Sequence, residues 1–479
     1  MSIHAHTQVY VLANRRGRFF DERVSKDATY PSTRASVGDS PEYEEQRADS
    51  PVEQNGPSSW DEEAVAFAPP GPCYEGLRNN VSTHEMEMQS HSWKPGTEEF
   101  VNQRQISEYL HDTAAKNDVL ECVRLNTRVE ELTKIDGKWR MRTTTPTKRT
   151  PHHYSHSTHH FDAVVVANGH YHAPNIPDIP GLSTWKAAFP DRVLHSKLYR
   201  RPDKFRDQNV LLVGAGVSST DIARELGGVA RATFQVSRGG MYDLPSHLLP
   251  DNAARVGAIA CFGDLNRQTK EGGTIPGTVH LSNNTQLCDI HRVVLCTGYH
   301  VSFPFLRCLH ADKLTSAQAD QHVLVTDGQQ THNLHKDIFY IPDPTLAFIG
   351  VPYHTATFSF FEFQAVALAE VFAGRVPLPA MDVMREVYEE RLRRKGAGRT
   401  FHSLKGVGEE IEYVDDLVRW VNGAPGRRGE VEESRKMRGH SAKWRVSYER
   451  RLKRAHALKN GKRDSRVDEA LLAGMVPCV

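Results

Sequence analysis

Val210-Leu-Leu-Val-Gly214-Ala-Gly216-Val-Ser218-Ser219-Thr-Asp-Ile-Ala-Arg224 reads as a strand, a glycine turn and the start of a helix. The run Asn209–Val213 has the unbroken hydrophobicity of a strand covered on both faces. Gly214 permits the tight turn, and Gly216 lets the backbone approach a pyrophosphate seated on the helix N-terminus. Ser218 lies in the same phosphate-facing turn. Ser219 takes the third position of the pattern, where a small side chain still allows helix and strand to pack closely. The spacing alone is a weak signal; its place between a buried strand and a helix gives it weight. About 20 residues further on, an NAD site places a carboxylate for the ribose 2′-hydroxyl. Here the chain has Ser237-Arg238, at the end of a strand Thr233–Val236. A guanidinium pairs with a 2′-phosphate that a carboxylate would repel, so the expected nucleotide is NADP(H). The plainer reading is a glycine turn in some other α/β fold.

The same strand and turn pattern recurs along the chain. Phe161–Ala167 runs apolar up to Gly169 and is expected to be a strand buried on both faces. Val293–Leu295 leads into Cys-Thr297-Gly298-Tyr, and Leu346–Ile349 precedes a helix at Phe361–Phe372. A helix is expected over residues 101–117, another over Thr220–Leu226, and strands over Cys122–Thr127 and Trp139–Thr145. Repeated strand, turn and helix mean an α/β fold with parallel sheets.

Composition narrows the function. With 60 Lys and Arg against 59 Asp and Glu, the net charge of +1 excludes a bulk polyanion binder, and no nucleic-acid partner is expected. No apolar run reaches the roughly 18–20 residues that would span a bilayer. The opening MSIHAHTQVY has no basic region followed by an apolar one, so no secretion signal is read. The seven cysteines are dispersed without a CxxC pair, which fits reduced thiols and a cytoplasmic location. Residues 26–72 are rich in Ser, Pro, Gly and acid and are expected to be a disordered linker. Residues 423–479 carry 15 Lys and Arg against seven acids and read as a solvated basic tail. His152, His153, His156, His159 and His160 form a tract that could bind metal, but it lies where a variable hairpin precedes a strand, and no metal site is expected.

Taken together, these residues resemble the flavin-containing monooxygenases, fungal members in particular, from about Cys73 to Asn422. The match rests on Phe189-Pro-Asp-Arg-Val-Leu-His195-Ser-Lys-Leu-Tyr199, with Asp191 where the family has Gly, and on Tyr74-Glu-Gly-Leu-Arg-Asn-Asn80. It rests also on Ala167-Asn168-Gly169-His with PNIPDIPG to Gly181, on Cys296-Thr297-Gly298-Tyr with FPFL, and on Glu362-Phe-Gln364-Ala. The resemblance implies two dinucleotide-binding, Rossmann-like domains, the NADP domain inserted in the FAD domain. Its divisions would be a first-strand region and linker (1–72), FAD domain (73–200 and 301–421), NADP domain (201–300) and basic tail (422–479). It implies a soluble enzyme in which NADPH reduces FAD and one oxygen atom of O2 passes to N or S of a small organic molecule, in fungal secondary metabolism. The alternatives are Baeyer–Villiger insertion, disfavoured because the long extension and extra helical domain common there are not seen, and a non-catalytic NADP-binding remnant. Asn80 matches a residue contacting flavin and nicotinamide amide, or is an ordinary turn residue. His195 orients the cofactor segment or is a satisfied structural histidine, and Gln364 contacts the flavin ring or is structural. Asn168, Gly169, Thr297 and Gly298 are implied cofactor neighbours. A family member opens with a strand and GxGxxG for the FAD pyrophosphate, and none is present. VYVLANRRGRFF resembles the family segment just after that motif, with Asn14 in place of a ribose-binding Glu. Either the sequence starts inside a longer chain, or the protein binds FAD poorly.

Overall fold

A computed structural model describes residues 67, 69–147, 154–265, 273–425 and 436–459. The opening segment with its missing glycine motif, nearly all of the expected linker, His152, His153 and the tail from 460 onward lie outside the described residues. In chain order the elements begin with helices α1 (Thr83–Met86) and α2 (Gln103–Lys116), then strands β1 (Arg128–Ile135), β2 (Lys138–Pro146), β3 (Tyr154–Phe161), β4 (Val164–Val166) and β5 (Ala173–Pro174). Next come α3 (Leu182–Ala188), β6 (Val193–His195), β7 (Asn209–Val213), α4 (Val217–Glu225), β8 (Ala232–Val236), β9 (Ala253–Val256), β10 (Ile259–Phe262), β11 (Val279–Leu281), β12 (Gln286–Leu287), β13 (Arg292–Leu295) and β14 (Tyr299–His300). The chain ends its described part with β15 (Leu334–His335), β16 (Phe339–Tyr340), β17 (Leu346–Phe348), α5 (Phe358–Phe372), α6 (Met381–Lys395), α7 (Glu409–Asn422) and α8 (Ala442–Lys459).

β7 is at the centre of a five-stranded parallel sheet ordered β6-β13-β7-β8-β9. Its side chains alternate, as a strand's must. Val210 and Leu212 meet Ile222, Ala223 and Leu226 of the α4 region, while Leu211 and Val213 pack with Trp185, Val279 and Ile290 on the other face. Both faces are therefore covered. The sheet takes its edge strand from Val193–His195, ahead of the boundary at 201 expected from sequence.

The insertion is visible in one pairing. β4 runs parallel to β17, Val164 opposite Leu346, although the whole five-stranded sheet forms between them. The chain leaves one sheet after β4, builds the nucleotide unit, and returns through β15, β16 and β17. An antiparallel sheet β1-β2-β3 flanks this second unit through Leu132, Trp139 and Met141.

Several sequence expectations need correction. Cys122–Thr127 is not a strand: a single 3-10 turn at Leu120–Cys122 is followed by Asn126 at a φ of +54°, which breaks the extended run. The strand comes next, at Arg128–Ile135, where only Leu132 is buried. Phe161–Ala167 splits into the end of β3 and the short β4. Its middle valine, Val165, is 41% exposed, so β4 is not buried on both faces. Helices α4 and α5 start three residues earlier than expected. The basic tail is not a solvated face throughout: α8 docks by Trp444 and Tyr448 against Val81, Met86 and Ala356. There, Arg451 donates from Nε to the fully buried Glu85 at 2.8 Å.

Candidate active site

Gly214 adopts φ +113°, and a Cβ there would stand 2.6 Å from the carbonyl oxygen of Cys296. No other residue fits. Gly216 caps α4 without a side-chain hydrogen bond, and the first turn of the helix holds no acid. The leading N–H groups, with exposed Ser218 among them, are thus left for an anion. Ser219 is fully buried and accepts from Gln235 Nε2 at 2.8 Å, fixing the close approach of α4 to the sheet. Leu244 N–H bonds to the Ala215 carbonyl at 2.8 Å, so the segment after β8 folds over the glycine turn. In that segment Ser237 Oγ donates to Asp243 and accepts from Gly239 N–H at 3.0 Å. Arg238 is exposed there and forms no ion pair with a described residue.

The next turn joins the two units. His195 is buried at the end of β6; its Nδ1 accepts from Lys197 N–H at 3.1 Å, so Nε2 carries the proton and donates to Gly298 O at 3.0 Å. Burial pushes the imidazole down to about 4, keeping the ring neutral. Gly298 O also accepts from Asn175 N–H at 2.8 Å, and Asn175 Nδ2 reaches Thr297 O at 3.2 Å. Gly298 itself is left-handed, at φ +77°.

On the other unit, β4 and β17 end side by side, Val166 opposite Phe348. Exposed Asn168 and Gly169 follow the first strand, Gly350 the second, and α5 starts beyond it with no side-chain cap on Thr357. Ends of parallel strands beside an uncapped helix are the ordinary place for a cofactor in such sheets. Val81 packs with Ala356 and Phe358, which brings neighbouring Asn80 to the start of α5. Asn79 is the structural member of that pair, bonded to Val81, Glu99 and Val101. Asn80 is half-buried and makes no side-chain hydrogen bond with a described residue. Gln364 is fully buried with both ends of its amide engaged: Oε1 accepts from Gly350 N–H at 2.9 Å and Nε2 donates to Tyr413 at 2.8 Å. It holds Gly350 in place from beneath.

Between the units stands an aromatic wall of which the quoted motifs contain only His195, His170 and Tyr299. His195, Tyr299, Tyr171, His170, Tyr353 and His354 follow one another at centroid spacings of 4.5 to 6.2 Å. Tyr242, from the segment over the glycine turn, closes it 5.9 Å from His354. His354 Nδ1 lies 2.8 Å from Ser403 Oγ, and burial pushes its ring down to about 4. The loop carrying Ser403 is tied down by a buried network: Asp337 meets Arg391 at 2.6 Å and His402 Nδ1 at 2.8 Å, while His402 Nε2 faces Thr331 O at 2.8 Å. His195, His170 and Tyr299 lie in the motifs quoted above; Tyr242, Tyr353, His354 and the Asp337, Arg391 and His402 network had no such signal, because they come from segments far apart in the chain.

Residues 72–247 and 267–427 match the flavin-binding monooxygenase-like family. The chain belongs to it. The monooxygenase is 39% identical over 437 residues to the flavin-containing monooxygenase ustF2 of Aspergillus flavus, across 90% of this chain and 85% of that one. It is 38% identical to ustF1 of the same fungus, across 78% and 77%. In shape it is similar to S-allyl-L-cysteine S-oxygenase from Allium sativum, with a TM-score of 0.60 at 23% identity over 84% of this chain and 81% of that one. Tmm from a Pelagibacter strain gives 0.59 at 20% identity over 81% and 78%. At those identities the likeness concerns fold. The chain is a flavin-dependent monooxygenase that uses FAD and NADPH, with O2 and a small molecule as co-substrates. Its residues suit both cofactors: a glycine turn and uncapped helix in the inserted unit, paired strand ends and a second uncapped helix in the other. No helix among the described residues is long and apolar enough to cross a membrane. Nor do they hold a cluster that could bind a metal ion, His156, His159 and His160 included.

Proposed function

We propose that this enzyme transfers one oxygen atom to the nitrogen or sulfur of a small organic molecule, in fungal secondary metabolism. The reading is carried by the junction itself: the glycine turn of the inserted unit and the strand ends of the other face one aromatic wall. When bound, FAD and NADPH supply the two electrons and the activation of O2. The chain's own residues then have three roles. Gly214, Gly216, Ser218 and the α4 N-terminus hold the NADPH diphosphate, and Ser237 and Arg238 the ribose phosphate; Ser219, expected from sequence at the cofactor, is buried against Gln235 and only packs α4 on the sheet. His195 fixes Thr297 and Gly298 where the two cofactors meet, Asn168 and Gly169 take the FAD side, and Asn80 offers its amide to the ring. The aromatic wall keeps water from the reacting centre.

The test is direct. Protein loaded with FAD should be yellow and should consume NADPH faster with a thioether or tertiary amine present, giving a product one oxygen heavier at S or N. Binding of NADP without flavin, and no product from either class, would leave the non-catalytic reading. Oxygen placed next to a carbonyl would mean Baeyer–Villiger chemistry.

Arg238 sets the nucleotide. A charge-assisted contact to the 2′-phosphate is worth roughly 1.5–3 kcal/mol, or about one to two decades in affinity. Arg238→Ala should raise the KM for NADPH by that factor and leave NADH nearly unchanged. Equal losses with both nucleotides, or no loss, would remove the assignment.

A further inference from the structure

Arg399, Tyr242 and Tyr353 bring hydrogen-bond donors together in the wall with no carboxylate among the described residues facing them. The Arg399 guanidinium lies over the Gly298 turn, where a Cβ would stand 2.3 Å from its terminal nitrogen. It stacks on the ring of Tyr242 at 5.8 Å and makes no ion pair with a described carboxylate. The hydroxyls of Tyr242 and Tyr353 are buried, lie against one another beside it and meet no carboxylate or carbonyl among the described residues. Lys405 Nζ also stands over Tyr242, 5.5 Å from its ring, and donates to Met241 O at 3.0 Å. The histidines that Arg399 acts on, His170, His300 and His354, add no negative charge.

An exposed guanidinium beside two buried phenolic hydroxyls suits an oxyanion. We propose that Arg399, with Tyr242 and Tyr353, binds a carboxylate on the molecule being oxygenated, so that the substrate class is a thioether or amine bearing an acid group. The proposal rests on the oxygenation reading above. Arg399 is held in position for such a contact, because the loop 396–405 is tied at His402 to Asp337 and at Ser403 to His354. A substrate anchored by its acid at this point lies beside the Thr297–Gly298 turn, between the two cofactor regions.

Binding to the full-length protein, followed by ligand-observed NMR or calorimetry, tests the proposal apart from turnover. The probes are 4-(methylthio)benzoate and the neutral 4-(methylthio)benzamide. The acid should bind about tenfold more tightly than the amide, as a charged hydrogen-bonded contact at a partly exposed site predicts. Arg399→Gln should bring the two affinities together, Arg399→Lys should keep part of the preference, and Tyr353→Phe should reduce it by a few-fold. The affinity for NADP+ should stay as in the wild type in all three. Equal binding of the two probes, or binding of neither up to their solubility, overturns the proposal. So does an Arg399→Gln variant that keeps the preference but loses NADP+, because the guanidinium would then serve the cofactor's phosphates. If the acid is preferred but no oxygenated product ever forms, the oxygenation reading fails and the anion site stands.

Discussion

Asp337→Ala is expected to cost about 3–5 kcal/mol of stability, the usual loss when one partner of a buried ion pair is removed. Asp337 is fully buried in a left-handed turn at φ +55°, between β15 and β16. Its two oxygens serve Arg391 of α6 and His402 of the 396–405 loop, and Arg391 also donates to Phe401 O at 3.0 Å. Both nitrogens of His402 lie 2.8 Å from an oxygen, Asp337 Oδ1 and Thr331 O. Removing the carboxylate leaves two buried donors on different elements facing a void. Asp337→Asn keeps the shape but turns one oxygen into a donor aimed at a donor, so it should destabilise too, by less. A urea titration of the three proteins measures both losses. The pH dependence has a definite sign. Arg391 and His402 hold the Asp337 carboxyl well below the usual carboxylate range, against the opposing effect of burial. A depressed carboxyl stabilises the fold above its unfolded value of about 4 and loses that contribution as pH falls toward its folded value. The wild type should therefore lose stability below about pH 4 more steeply than Asp337→Ala does. Parallel acid profiles, or a loss under about 1 kcal/mol, would show that the network does not bear on the fold.

That network also shows what could and could not be read from the sequence. The inserted unit was legible because its instructions are local: an apolar run, two glycines flanking a single alanine in the turn, and an arginine at the end of the next strand. β1 carries no strand signal, because RVEELTKI has one buried residue, Leu132, among four charged ones in no alternating order. The tail misled for the opposite reason. Its basic charge is real, but Trp444, Tyr448 and Leu452 recur every four residues, and this stripe is the docking face of α8. Periodicity outweighed charge there and could have been counted. Arg399, Tyr242 and Tyr353 had no such signal. They lie on three loops, and only the fold brings them together. Gln364 was read from a motif, and the structure places it under Gly350 with both amide ends used.

Gly214→Ala should lower the affinity for NADP+ by at least about 100-fold, equivalent to roughly 2.7 kcal/mol. At φ +113° an L side chain is strained by about 1–3 kcal/mol before any contact is considered. The new methyl would also stand 2.6 Å from the Cys296 carbonyl, a rigid backbone group that must give way. Its displacement reaches Thr297 and Gly298, which His195 and Asn175 hold in register, so the turn and its neighbour distort together. Gly216→Ala separates shape from binding. Its φ is ordinary at −83°, and its Cβ would meet only the Tyr242 carbonyl at 3.6 Å. That variant should fold with unchanged Tm yet lose about tenfold in NADP+ affinity, because the methyl stands where the diphosphate approaches the backbone. Thermal melts and NADP+ titrations of both variants measure the contrast, and flavin absorbance reports the other unit, which contains neither glycine. If Gly214→Ala binds NADP+ like the wild type, the nucleotide is not seated on this turn. If both variants lose flavin as fully as NADP+, the two units do not hold their cofactors separately.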